Sequence, residues 1–205
     1  GVRCLAAYLC RSGLHTSEMV RIRTVAGMKR LEMKSREQNL FVFRSSMGMP
    51  ILEPARIPAL VPAQKGPVLR HSLKVEYETV DVTLSSMGNP HCSTFWPDLA
   101  QAPVSQLGPM LENHPIFPNR TNVEFIQVLD RHTIRVAFWE RGVGMTMASG
   151  TGSSAAGVAS ILNGLAESPV TVETVLGKLF VEWQPEGELY LTGPAAFVCE
   201  GDYAL

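Results

Sequence analysis

Two stretches of this chain, 150 residues apart, follow one pattern: RTVAGMKRLEM (23–33) and ETVLGKLFVEW (173–183). Thr24, Val25 and Gly27 lie over Thr174, Val175 and Gly177, and Leu31, Glu32 and Met33 over Val181, Glu182 and Trp183. Each stretch follows an apolar helix-like segment by a similar gap: GVRCLAAYLCRSG in the first case, GSSAAGVASILNG in the second. An internal repeat constrains a fold more than any single motif, because each copy must build the same supersecondary unit. The alternative is that two hairpins merely look alike. A true repeat predicts an α+β fold of two pseudo-symmetric domains, each a central helix wrapped by antiparallel strands. The first half would then be incomplete. It lacks opening strands and the helix-entry loop that Ser149–Gly152 provides in the second half.

The periodicity supports this outline. Residues 1–12 read as a helix ended by Gly13, which can take the left-handed cap. Alternating apolar and polar residues predict strands at 19–27, 28–35 and 39–46. Residues 47–67 hold five of the 14 prolines and read as a linker. One long strand pattern runs from about 68 to 86, then a turn at MGNPHC (87–92) and a strand over HCSTFW. A helix is expected at 103–113 and a hairpin from TNVEFIQVLD and HTIRVAFWE. The glycine-rich loop RGVGMTMASGTG follows, then the small-residue helix SSAAGVASILNGL, which ends near Gly164. SPVTVETV, KLFVEWQ and ELYLTG read as three more strands. The expected domains are 1–76 and 77–205, with the last strand free to return to the first.

Charge divides at the same place. Residues 1–76 hold 13 basic and 5 acidic residues; residues 77–205 hold 5 and 14. A basic half could face a nucleic acid, but these residues are spread over expected strands and no nucleic-acid motif accompanies them. A solvated surface offset by an acidic half is the better reading, and no nucleic-acid partner is expected. No run of 18 apolar residues occurs, so no membrane span is expected. Gly1 leads straight into an amphipathic segment with no charged n-region or cleavage site, so the expectation is a cut start and no secretory leader. Cys4, Cys10, Cys92 and Cys199 form no CxxC pair and no zinc-like spacing, which predicts a reduced, cytoplasmic protein without a metal site.

The strongest chemical signal is a strand, then ERGVGMTMASGTG, then a helix. Gly150 and Gly152 let the backbone turn tightly, and the first helical amides then offer unpaired N–H groups to a carboxylate or phosphate. Ser149 is either the N-cap or a catalytic group. No lysine follows the glycines, so this is no Walker A loop, and the spacing is not that of a serine hydrolase. Glu140 and Arg141 at the loop mouth suit the amine and carboxylate of an amino acid, since arginine binds carboxylate in a planar fork. Asn89 and His91 sit in the Gly-Asn-Pro turn, and Asn122 in RTNVEF. Each taken singly can be structural; together they form a polar constellation.

MGNPHC, FPNRTNVEF, ERGVGMT and SGTG resemble the diaminopimelate epimerase family in order and spacing, and GVRCLAAYL, TVAG and LTGPA also fit. The resemblance covers essentially the whole chain. It implies a cofactor-independent isomerase that interconverts LL- and meso-diaminopimelate in the synthesis of lysine and cell-wall precursors. The implied substrate is a small amino acid bound between two domains, with no pyridoxal phosphate. In that family two cysteines, one at the start of each central helix, exchange the Cα proton across opposite faces. The resemblance places Ser149 at the second catalytic cysteine and gives His91 and Glu140 a role in tuning the thiols. It makes Asn89, Asn122, Glu140, Arg141, Gly150 and Thr151 substrate-binding. The family's first motif, Cys-Gly-Asn-Gly-x-Arg-Cys, is represented only by Gly1, Val2, Arg3 and Cys4. The first catalytic cysteine would then lie three residues before Gly1. Ser149 is the second departure, because a hydroxyl is a far poorer acid or base near neutrality than a thiol of pKa about 8.5. Cys199 is the third: family members often carry an aromatic residue there that supports a homodimer. The alternatives are an impaired relative that binds an amino acid or a partner, and a related racemase or isomerase.

Overall fold

The computed structural model describes residues 1–25, 27–62, 66–76 and 78–201. Ala26, residues 63–65, Tyr77 and residues 202–205 lie outside the described residues, although the expected strands 19–27 and 68–86, the linker and the closing segment include them. In chain order the first elements are α1 (Val2–Arg11), β1 (Met19–Thr24), β2 (Gly27–Glu37), β3 (Leu40–Gly48), β4 (His71–Val75) and β5 (Glu78–Ser86). Then come β6 (Pro90–Phe95), α2 (Val104–Glu112), β7 (Asn122–Asp130), β8 (Thr133–Glu140) and β9 (Gly144–Thr146). The last are α3 (Gly150–Leu162), β10 (Val170–Thr174), β11 (Gly177–Glu182) and β12 (Leu189–Ala196).

Two compact units emerge: Gly1–Met47 with Tyr190–Leu205, and Gly48–Leu189. The division falls after Met47 and not at 76/77, for a reason visible in the packing. The long strand pattern at 68–86 is two strands, β4 and β5, paired antiparallel with Val75 opposite Glu78. Leu73 and Val75 share a core with Val80, Val82 and Leu84, so the hairpin belongs wholly to the second unit.

In the first unit the strand order is β1-β2-β3-β12. Ala6, Ala7 and Cys10 on one face of α1 are buried with Val20, Leu31, Phe41 and Phe43. Cys4 is exposed. The helix stops where expected: the Ser12 amide donates to the Tyr8 carbonyl at 2.9 Å, and Gly13 turns left-handed at φ 74°.

In the second unit the order is β11-β10-β8-β7-β6-β5-β4, with β9 added to β8. The hairpins are antiparallel, but β6–β7 and β8–β10 are parallel. Each parallel pair is bridged by a helix, α2 or α3, as a crossover requires. Helix α3 touches β5, β6, β7, β8, β10 and β11. It is therefore surrounded, and every residue from Gly152 to Ser160 is buried. At Gly157 the approach leaves no room for a side chain: an added Cβ would lie 2.7 Å from Val181 Cγ1.

The two matching hairpin turns close in the same way. Thr24 pairs with Gly27 at the β1–β2 turn and its hydroxyl donates to the Gly27 carbonyl at 2.8 Å. Thr174 pairs with Gly177 at the β10–β11 turn and donates to the Gly177 carbonyl at 2.9 Å.

Candidate active site

All the polar residues picked out by sequence lie in the Gly48–Leu189 unit, around the start of α3. Helix α3 begins at Gly150, three residues earlier than its apolar pattern, because Ser149 caps it. Ser149 has extended backbone, and its Oγ accepts from the Gly152 amide at 3.2 Å. The same hydroxyl donates to Glu140 Oε2 at 3.2 Å. Of the two roles the sequence offers, the geometry shows the cap, with the hydroxyl proton turned to Glu140. The Gly150 and Thr151 amides, first in the helix, have no carbonyl partner within it and carry the positive end of the helix dipole.

The segment before α3 folds back on itself. The Val143 amide donates to the Glu140 carbonyl at 3.0 Å, and β9 then pairs with β8 in the register Glu140↔Gly144 and Phe138↔Thr146. In the sequence its three residues sit inside the expected glycine-rich loop. This return brings Thr146 Oγ to donate to Glu140 Oε1 at 2.7 Å. Both oxygens of Glu140 are thus engaged by hydroxyls, and Thr146 joins the candidate site without having been legible in the sequence. Its only signal was its place in the ERGVGMT motif.

The asparagines and the histidine come together as a second cluster. His91 is buried, and its Nδ1 lies 2.6 Å from Glu124 Oε1, an equally buried carboxylate. Ser93 Oγ donates to the other Glu124 oxygen at 3.1 Å. The parallel β6–β7 register explains this: His91 stands beside Asn122 and Ser93 beside Glu124. Burying this pair without partners would be costly; here the carboxylate has two. His91 Nε2 lies 3.2 Å from Asn89 Oδ1, and Asn89 Nδ2 lies 3.5 Å from Thr151 Oγ. The Gly-Asn-Pro turn is therefore linked to the helix start. Asn122 is anchored on both sides: its Nδ2 donates to the Pro90 carbonyl at 2.8 Å, and its Oδ1 accepts from the Arg141 amide at 3.0 Å. Arg141 Nη1 donates to the Asn119 carbonyl at 3.0 Å, which fixes one edge of the guanidinium.

Two features missing from the sequence reading complete the surroundings. Glu124 was read only as part of RTNVEF. Glu112, at the end of α2, is buried and accepts from Trp139 Nε1 and the Gly142 amide, each at 2.8 Å, and from Arg120 Nη1 at 3.1 Å. Among the described residues no group of three or more His, Cys, Asp or Glu side chains is arranged to hold a metal ion. Burial pushes the Cys92 thiol well above its ordinary range, and the charge of Glu124 adds to the effect. Cys92 is thereby kept as an inert core thiol next to His91.

A carboxyl with two hydroxyl donors, an arginine and unpaired helix amides form a place for a small zwitterion. A family model described as diaminopimelate epimerase matches residues 83–198. The diaminopimelate epimerase of Moorella thermoacetica is 44% identical over 206 residues, spanning all of this chain and 73% of that protein. That of Pelotomaculum thermopropionicum is 45% identical, spanning 98% of this chain and 71% of its own length. Among solved structures, a hydroxyproline epimerase from Agrobacterium vitis with bound trans-4-hydroxy-L-proline matches 96% of this chain with a TM-score of 0.71 at 15% identity. A probable proline racemase from Agrobacterium radiobacter matches with a TM-score of 0.69 at 17% identity. This chain spans 64% of either structure, and these two share its fold.

Proposed function

Because this chain belongs to the diaminopimelate epimerase family of isomerases, we propose that its second unit binds diaminopimelate and serves LL–meso interconversion without a cofactor. The observation that carries this reading is the junction of Ser149 with Glu140 at the start of α3. The substrate carboxylate would lie on the Gly150 and Thr151 amides, where the helix dipole favours an anion. Arg141 and Glu140 would supply opposite charges for carboxylate and amine. Asn89, tied to Thr151, and Asn122, tied to the Arg141 backbone, would hold the two walls in place. The role in lysine and cell-wall precursor synthesis, a cytoplasmic setting and a homodimer follow from the family and are part of the proposal. No helix among the described residues is long and apolar enough to cross a membrane.

Epimerisation needs a proton taken from one face of Cα and another delivered to the opposite face. Ser149 offers a hydroxyl where the family resemblance implies a thiol. Glu140 polarises that hydroxyl but cannot bring it into the range of a thiol of pKa about 8.5. Proton transfer at this position is therefore slow. The same residue favours a second reading, in which the site binds the amino acid without turning it over.

Incubating the protein with LL-diaminopimelate in deuterium oxide, and following Cα–H by proton NMR, tests the first reading. In a chain extended upstream through the family's Cys-Gly-Asn motif, exchange above background is expected, and Ser149→Cys in that chain should raise the rate by orders of magnitude. Calorimetric binding without exchange in either protein supports the second reading. No binding and no exchange would end both.

A further inference from the structure

We propose that Glu112 is a positioning residue: from α2 it clamps the turn that carries Glu140 and Arg141. Gly108 and Glu112 are four residues apart and share one helix face. At Gly108 an added Cβ would lie 2.5 Å from Trp139 Cδ2, so the helix backbone rests directly on the indole ring. One turn later the Glu112 carboxylate reaches both sides of the substrate-binding pair. Its Oε2 takes the Trp139 indole N–H, one residue before Glu140, and its Oε1 takes the Gly142 amide, one residue after Arg141. Arg120 Nη1 balances the charge on Oε1.

The chemistry of the side chain fits holding and not reacting. All three donors converge on a carboxylate that is only 6% exposed, so neither oxygen is left for a substrate. An apolar residue could fill the space but would leave two N–H groups without partners at the end of β8. A glutamine would turn its NH2 toward one of the N–H groups. Only a carboxylate accepts from both sides at once. The bracketed segment is fixed from a second side, because the Arg141 amide is held by Asn122 Oδ1. Glu112 and Asn122 together set where the Arg141 guanidinium and the Glu140 carboxyl point.

The ligand arm of the test rests on the function proposed above; a second arm does not. Glu112→Gln is nearly isosteric. Calorimetry with diaminopimelate, well below the melting temperature, should show binding weaker by about 10-fold. In 1H–15N NMR the Trp139 indole and the Gly142 amide should shift, and the Arg141 and Gly142 amides should exchange faster while α3 amides do not. A general loss of stability would not confine the change to these groups. If Glu112→Gln does not fold, Trp139→Phe removes one of the clamp's donors and should weaken binding about 3-fold. Wild-type affinity together with unchanged Gly142 exchange in the folded variant overturns the clamp while leaving the function intact. Wild-type protein that binds no diaminopimelate ends the function, and the exchange rates alone then decide the clamp.

Discussion

Ser149 concentrates the residue-scale question, since one oxygen both caps α3 and faces Glu140. Ser149→Ala should cost about 1 kcal/mol of stability in urea unfolding, the usual worth of an N-cap. A variant as stable as wild type would mean that water replaces the cap fully. Ser153, one turn on, points the other way energetically. Its hydroxyl is buried and has no hydrogen-bond partner among the described residues. Ser153→Ala removes an unsatisfied group and should raise stability by about 1 kcal/mol, read as a higher urea midpoint with an unchanged slope. Sequence could pick out Ser149, Asn89 and Arg141 because their types and spacing carry chemistry. It could not pick out Glu112, whose partners Trp139 and Gly142 lie 27 and 30 residues away. No local pattern marks a clamp closed by tertiary packing.

At the scale of elements, legibility followed punctuation. Helix α1 was readable because Gly13 ends it, and the paired hairpins were readable because Thr and Gly recur at matched places. The β4–β5 hairpin was read as one strand because neither glycine nor proline marks its turn. There Glu76 itself takes a left-handed φ of 50°, which a side chain seldom does. Strand β9 hid inside a glycine-rich loop because three residues are too few to show alternation. Helix α3 announced itself by small residues, and its enclosure explains them. Gly157→Ala would push a methyl against Val181 and should destabilise by about 1–3 kcal/mol, as overpacked cores do, lowering the melting temperature. An unchanged melting temperature would show that β11 moves aside freely.

For the whole molecule, the sharp charge split of the sequence softens once the real units are counted. Nine basic and five acidic residues fall in the first unit, and nine and fourteen in the second. Arg56, Arg70 and Lys74 belong with the acidic part. Several acids there are held below their ordinary range. Arg131 lowers Glu167 through a hydrogen bond, Arg135 and Lys178 lower Glu173, and the His132 amide lowers Asp130. A depressed carboxyl stabilises the fold fully above its unfolded value, 4.5 for Glu and 3.8 for Asp, and loses that contribution as pH falls through the folded value. The melting temperature should therefore hold from neutrality to about pH 5 and decline below it. Asp130 and Glu167 are exposed and Glu173 is only half-buried, so the decline should be shallow and salt-sensitive. A melting temperature that rises below pH 4 would contradict these assignments. The wider fold was legible because the repeat and the family motifs agree; the unit boundary was not, because it depends on which core the β4–β5 hairpin joins. Asn122 has one more implication. A single amide fastens the segment at Pro90 to the segment at Arg141, so neither wall can be correctly placed while the other is loose. Occupancy then becomes a gauge of cooperative assembly. A ligand at a hundred times its dissociation constant should add about 2.7 kcal/mol to the unfolding free energy, and an Asn122 variant should lose that ligand-induced heat resistance while still folding.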